Sequence, residues 1–134
     1  TTPQAAAQKV ARRSAELATK FKLEIAGVVE NMAGFTTPGG ERFSIFGEGG
    51  GEQLASELDV PLLGKVPLTM PLRESSDAGT PLVVSAPDDP AAQAIRQIAR
   101  GIIAQTPVAL PVVQAPAAPP SAAPKPAGMS LPMA

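Results

Sequence analysis

Apolar residues recur at helical spacing near both ends of the first hundred residues. The first predicted helix runs from residue 3 to about residue 20, with Thr2 as its cap and Pro3 in its first turn. Its apolar positions share one side, which predicts that this side faces the core: Ala6, Val10, Leu17 and Phe21. The last predicted helix begins at Asp89-Pro90 and has the closest match to helical spacing, at Ala94, Ile95, Ile98 and Ile102.

Two apolar runs between these helices predict strands over residues 23–29 and 62–66. Pro67 is expected to end the second strand. Residues 30–46 are expected to form a loop, because turn-forming residues occupy positions 37–40. Residues 47–51 are predicted to lead into a short helix that carries Leu54 and Leu58. Another short helix is predicted around residues 70–76, and residues 81–85 are predicted to be extended.

The order helix, strand, helix, strand, helix predicts an α/β fold with crossover connections around a parallel sheet. Two or three strands are few for a parallel sheet, whose two faces must both be covered. We therefore expect residues 1–103 to be the C-terminal portion of a larger α/β domain. A free-standing interaction module is the less favoured alternative, because this portion alone would leave sheet edges unpaired.

Proline and alanine dominate the remainder of the chain. Residues 104–134 hold half of the 16 prolines, and Lys125 is their only charged residue. Such a segment has too little apolar surface to offset its chain entropy, so a disordered or polyproline-II tail is expected.

Charge and residue counts exclude several classes of function. Eleven Lys and Arg against 12 Asp and Glu leave the chain near neutrality, so we expect neither nucleic acid nor a membrane as a partner. The absence of Cys and His excludes disulfides, Cys/His zinc sites, an iron–sulfur cluster ligated by these residues and a Ser-His-Asp triad. No signal peptide or long apolar span is visible, which predicts a cytoplasmic protein.

A glycine-rich segment, residues 47–51, precedes one of the predicted short helices. Backbone amides at such a helix start could hold an anion. However, no Gly-Lys-Ser/Thr follows, and Glu48 and Glu52 would repel phosphate. A structural helix start or a partner-contact loop is the favoured interpretation.

Asn31 follows directly on the first predicted strand, and Pro67 and Leu68 end the second one at a matching level. Ligands in open α/β sheets bind outside the carboxyl ends of the strands. An Asn amide can pair with adenine, and Pro67 and Leu68 could pack on its flat ring. From these residues alone, the favoured interpretations are an Asn that caps a turn and a proline that ends a strand. Asp88-Asp89 is interpreted as a helix cap rather than an acid pair.

Several motifs occur together in a distinctive order: TTPQ at 1–4, GVVENM at 27–32, IFGEGGG at 45–51, VPLLGKVPL at 60–68 and DAGTPLVV at 77–84. Together they resemble the C-terminal half of the Mrp/ApbC family of MinD-like P-loop ATPases, which carry and insert iron–sulfur clusters. The resemblance covers residues 1–103, and the end of the tail, residues 128–131, resembles some actinobacterial members. It implies a three-layer parallel-sheet P-loop NTPase fold, ATP with Mg in the complete protein, a homodimer and iron–sulfur apo-protein clients.

The family's Glu-Asn-Met segment matches Glu30, Asn31 and Met32. The resemblance therefore implies that Asn31 recognises adenine, with Pro67 and Leu68 beside the base. The family's phosphate loop and magnesium ligands lie in an N-terminal half that these 134 residues do not include. The polypeptide alone is thus expected not to hydrolyse ATP.

The loop after Asn31 departs from the family pattern. Many members have Cys-Pro-x-Cys where this chain has Thr37-Pro38-Gly39-Gly40, and neither Thr nor Gly replaces a thiolate on iron. The favoured function remains an ATP-binding iron–sulfur cluster carrier or assembly ATPase. The alternative is a nucleotide-gated regulator or dimerisation scaffold of the same fold that carries no cluster. In both cases the segment 35–51 is expected to contact a second subunit through apolar side chains: Phe35, Phe43, Ile45 and Phe46.

Overall fold

The computed structural model describes residues 1–37 and 39–105. Over these residues the elements are, in chain order, α1 (Ala5–Lys20), β1 (Val28–Thr36), β2 (Arg42–Phe43), α2 (Gly50–Glu57), β3 (Leu62–Leu68), α3 (Met70–Asp77), α4 (Leu82–Ser85) and α5 (Pro90–Gln105). Since α5 continues to Gln105, it includes the first two residues of the predicted tail. Residues 106–134 lie outside the described residues, so a disordered tail stays a prediction.

The sheet has the strand order β2-β1-β3, with β1 in the middle. β1 is parallel to β3 and antiparallel to β2, so the predicted α/β class is confirmed but the sheet is mixed. The antiparallel pair follows from the short connection between β1 and β2, since a parallel pair needs a long crossover. That connection is closed by the Thr37 amide, which donates to the Glu41 carbonyl at 2.9 Å.

The predicted limits of the first strand were wrong. β1 begins at Val28 and continues through Thr36, and β2 follows within the stretch predicted to be a loop. The pairing of β1 with β3 shifts register between Asn31 and Phe35, where Met32 adopts a positive φ of 57°. Strands are predicted from an alternation of apolar and polar residues, and an irregular strand such as β1 lacks this alternation.

Pro67 lies inside β3 rather than at its end. Among the described residues β3 is an edge strand, and edge strands tolerate proline because alternate peptide groups have no partner in the sheet. Residues 82–85 form the short helix α4 instead of an extended segment. Its first turn is closed by amides of Val84 and Ser85 that donate to the Pro81 carbonyl, and Pro81 has the φ that suits a helix start.

The helix α1 forms where it was predicted, but its large apolar residues face away from the core. Val10, Leu17 and Phe21 are 64%, 55% and 70% exposed, whereas Ala15 is buried. Alanines on the inward side let α1 approach α2 closely, and Ala11 packs against the buried cluster there. The prediction of a helix was therefore correct, but the prediction of which side of α1 faces the core was wrong.

The N-terminal cap of α1 also differs from the prediction. The N-cap residue is Gln4, which makes no side-chain capping hydrogen bond, and not Thr2. The Thr2 hydroxyl is instead buried and has no hydrogen-bond partner among the described residues.

Helices cover the sheet on two sides. On one side α4 and α5 pack on β3 around the apolar residues Val66, Leu82, Ala91, Ala92 and Ile98. On the other side α1 and α2 pack around Val28, Leu54 and Ala55. The predicted inward residues Ala94, Ile95 and Ile98 of α5 do pack in the first cluster, while Ile102 is partly exposed. Within the described residues, no helix has the length and apolar character needed to cross a membrane.

Candidate functional site

Asn31 lies on β1, exposed, and in register with Val66 of β3. Its side-chain Oδ1 accepts a hydrogen bond at 2.8 Å from the amide of the next residue, Met32. Its Nδ2 group makes no hydrogen bond within the described residues. A carbonyl oxygen has two lone pairs, so the side chain retains one acceptor position and two donors for a ligand.

Pro67 and Leu68 follow Val66 on the neighbouring strand, and both are half-buried. Leu68 is in register with Phe35, so the strand segments that carry the three predicted site residues lie side by side. Pro67 and Leu68 lie at the carboxyl end of β3, whereas Asn31 is the fourth of the nine residues of β1. The prediction that Asn31 follows the end of the first strand was therefore wrong. The structure thus brings the three residues to adjacent strands, and their role towards adenine stays a prediction.

The other edge of β1 is paired with the first residue of the chain. The Thr1 amine donates to the Val29 carbonyl at 2.9 Å, and the Asn31 amide donates to the Thr1 carbonyl at 2.8 Å. This is the bonding pattern of a parallel strand pair around Glu30. The backbone that carries Glu30 and Asn31 is therefore held from both sides, by Thr1 and by β3.

Glu30 is the residue that the sequence did not single out as a site residue in its own right. Its side chain is almost completely buried, and the residue is 1% exposed. Its Oε2 accepts a hydrogen bond from the Gly51 amide at 2.5 Å, and its Oε1 lies 3.8 Å from Nζ of Lys65. The same Nζ lies 2.9 Å from Oε1 of Glu52, so three charged side chains form one cluster.

The glycines at the start of α2 allow this cluster to form. A Cβ at Gly51 would lie 2.6 Å from Cβ of Glu30, and a Cβ at Gly50 would lie 2.5 Å from the Pro3 carbonyl oxygen. Both distances are shorter than real contacts allow, so these glycines permit close packing of the backbone. The anion at this helix start is Glu30 itself, which supports a structural helix start rather than a phosphate site.

A polar cavity of about 520 Å³ opens beside the cluster. Its polar lining residues come from four segments: Glu30, Arg42, Ser44, Glu48, Glu52 and Lys65. Three carboxylates and two cations nearly balance in charge. Asn31, Pro67 and Leu68 do not line this cavity, and the described part of the chain has no group of three or more His, Cys, Asp or Glu residues that could hold a metal.

The segment 35–51, which was expected to contact a second subunit, exposes part of its apolar surface. Phe43 and Ile45 are 48% and 58% exposed, whereas Phe35 and Phe46 are half-buried. Phe43 lies on β2, at the edge of the described sheet. Two of the four predicted apolar side chains are therefore exposed, and the contact with a second subunit stays a prediction.

Comparison with known protein families places these features in context. The sequence model of one family, described as ParA: NUBPL iron-transfer P-loop NTPase, matches residues 1–103. The chain belongs to this family. The expected resemblance to MinD-like P-loop ATPases is thereby confirmed.

Two relatives of this chain have names that refer to iron–sulfur clusters. The chain is 45% identical over 108 residues to the iron-sulfur cluster carrier protein of Mycobacterium leprae, covering 76% of this chain and 28% of that protein. It is 42% identical over 112 residues to the human cytosolic Fe-S cluster assembly factor NUBP2, covering 83% of this chain and 41% of that protein. The chain thus spans less than half the length of these curated relatives.

A solved structure confirms the fold. The cell division ATPase MinD of Pyrococcus furiosus superimposes with a TM-score of 0.63 over 79% of this chain and 41% of MinD. Sequence identity in that comparison is 23%, so the likeness concerns architecture alone. The described residues therefore have the architecture of part of a MinD-like P-loop NTPase.

Proposed function

We propose that this family member is the C-terminal segment of an ATP-binding iron–sulfur cluster carrier or assembly ATPase. The observation that carries the proposal is the position of Asn31, exposed on the central strand beside the β3 segment that holds Pro67 and Leu68. The names of the relatives from Mycobacterium leprae and human support the cargo, since both refer to iron–sulfur clusters.

In this proposal the segment supplies the adenine wall of the nucleotide site. Asn31 donates from Nδ2 to a ring nitrogen of adenine and accepts at Oδ1 from the exocyclic amino group. Pro67 and Leu68 pack on the face of the base. In the complete protein, ATP with Mg would supply the energy for a change in dimer geometry, and residues outside this segment would hold its phosphates.

The proposed assembly is a homodimer in the cytoplasm that delivers clusters to iron–sulfur apo-proteins. The exposed side chains of Phe43 and Ile45 support a subunit contact along the segment 35–51. The word "cytosolic" in the name of the human relative supports the compartment.

A second candidate is a nucleotide-gated regulator or dimerisation scaffold that carries no cluster. It is favoured by the absence of Cys from all 134 residues, including the loop with Thr37 and Gly40. The two candidates differ in iron binding. The test uses a longer polypeptide that contains both residues 1–103 and a phosphate loop. If this polypeptide hydrolyses ATP but binds no iron after anaerobic reconstitution, the regulator is favoured.

The adenine role is tested by Asn31→Ala in a polypeptide that joins residues 1–103 to a phosphate loop. Loss of a two-bond contact with a base costs about 1–3 kcal/mol, which is roughly a 5- to 150-fold weaker affinity. We expect this loss for ATP and not for GTP, measured by calorimetric titration. Gln53→Ala, which truncates an exposed amide on α2, is the matched control. An unchanged ratio of ATP to GTP affinity would refute the role of Asn31.

A further inference from the structure

Glu30 is the one buried charged residue in the part of the chain that the structure describes. Its carboxylate joins three elements, because it extends from β1, accepts from the first turn of α2 and faces Lys65 on β3. A buried carboxylate is costly unless hydrogen bonds and an opposite charge compensate it, and both are present here.

The contact with α2 fixes the direction of the Glu30 side chain. The N-cap of α2 is Gly49, which has no side chain to satisfy the free amides of the first turn. Glu30 satisfies the Gly51 amide from the neighbouring strand, and its negative charge suits this end of the helix. A Cβ at Gly51 would lie 2.6 Å from Cβ and 3.0 Å from Oε2 of Glu30, so the first turn of α2 packs directly against this side chain.

Asn31 directly follows Glu30 in the chain. After Asn31 the register between β1 and β3 shifts, and Met32 adopts a left-handed backbone conformation that costs energy for a non-glycine residue. The Met32 amide donates to Oδ1 of Asn31, so the Asn31 side chain is held against the backbone at the point where the register shifts. Glu30 is the last residue before this bend whose side chain is held by other elements.

We propose that Glu30 is a positioning residue for Asn31. Its buried carboxylate holds the end of the regular part of β1 against α2 and β3, and this fixes the bend at Met32 that orders the Asn31 amide. The functional value of the ordered amide rests on the proposed adenine role, but its order can be measured without nucleotide. Glu52 offers a contrast, because it pairs with the same Lys65 while 59% of its side chain is exposed.

The test uses the fact that Asn31 is the only Asn in the chain, so 15N-labelled asparagine gives one side-chain nitrogen resonance. The heteronuclear Overhauser effect of its Nδ2 group reports order in the full 134-residue protein. We expect an ordered amide in the parent chain and a mobile one in Glu30→Ala. Glu30→Gln keeps an acceptor for the Gly51 amide and is expected to restore order, and Glu52→Gln is expected to leave it unchanged.

Gly51→Ala is a second variant. Residue 51 is distant from Asn31 in sequence, and the added methyl group would contact Glu30 directly. It should also mobilise the Asn31 amide, while Gln53→Ala on the same helix should not. Circular dichroism shows which variants remain folded, and Gly51→Ala decides the matter if Glu30→Ala does not fold. An amide as ordered in folded Glu30→Ala or Gly51→Ala as in the parent would overturn the proposal, and so would a mobile amide in the parent. Failure of the adenine role would appear separately, as an unchanged nucleotide preference in Asn31→Ala.

Discussion

The two sides of the sheet are held together in different ways. On the α5 side the buried residues are all apolar, and Ala91 and Ala92 have no exposed surface. On the α2 side a smaller apolar cluster around Leu54 lies beside the buried carboxylate of Glu30. One side is therefore built by apolar packing alone, and the other adds a polar cluster with defined partners.

This difference determines what each side tolerates. Apolar packing is not directional, so side chains of similar volume can replace one another at low cost. A buried carboxylate requires a donor at a fixed distance, and its loss leaves that donor without a partner. The α2 side should therefore depend on the chemical nature of residue 30, and the α5 side mainly on volume.

Truncation of a core side chain should have the largest effect, and a similar one on both sides. Leu54→Ala and Ile98→Ala are each expected to lower the free energy of unfolding by about 2–5 kcal/mol, since each leaves a cavity. Urea unfolding followed by circular dichroism measures this. Leu17→Ala, at an exposed site on α1, serves as the control and should change little. A large loss on only one side would show that the two clusters do not form one cooperative unit.

Removal of the carboxylate should come next. Glu30→Ala is expected to cost about 1–3 kcal/mol, because the Gly51 amide becomes a buried donor without a partner. Glu30→Gln should cost less, since an amide oxygen can still accept that bond. Equal unfolding midpoints for Glu30→Ala and the parent chain would contradict the distinction between the two sides.

A change of shape at nearly constant chemistry should have a smaller effect on the α5 side. Ile98→Val removes one methylene group from the contact with Gly64 and is expected to cost about 0.5–1.5 kcal/mol. The same urea series measures it. If Ile98→Val proved as costly as Ile98→Ala, packing on this side would depend on more than volume.

The smallest effect is expected at the exposed member of the charged cluster. Glu52→Gln removes the 2.9 Å pair with Lys65, and exposed pairs contribute only about 0.2–1 kcal/mol. Raising the salt concentration should shrink the difference between Glu52→Gln and the parent chain. If Glu52→Gln lowered the free energy of unfolding as much as Glu30→Ala does, the main ion pair of Lys65 would be with Glu52 rather than with Glu30.

The α5 side was largely predictable from the sequence. Helical spacing identified α5 and its inward residues Ile95 and Ile98, and the apolar run at 62–66 identified most of β3. These signals are strong because burial on this side depends only on apolar residues that recur at a regular period. Asp89 was also identified as a cap, and its Oδ1 accepts from the Ala91 amide at 2.8 Å.

The α2 side and the site beside it were less predictable. In α1 both the alanines and the larger residues recur at helical spacing, and only packing decides that Ala15 is buried and Leu17 exposed. The glycines at the start of α2 were interpreted as structural, but the carboxylate that packs against Gly51 is 21 residues away in sequence. Asn31, Pro67 and Leu68 were proposed from expected strand ends and from the family motif, and no pattern in the sequence showed the pairing of Asn31 with Val66 that puts them on adjacent strands.

Pro67 has a consequence for self-association. An outer strand with an unbroken row of amides can recruit a strand from another molecule, which is a common route to fibrous aggregates. Within the described sheet β3 is an outer strand, but its row of amides is interrupted at Pro67, which has no N–H group. The residue proposed to pack on adenine would thereby also act as a gatekeeper against aggregation wherever β3 is left uncovered.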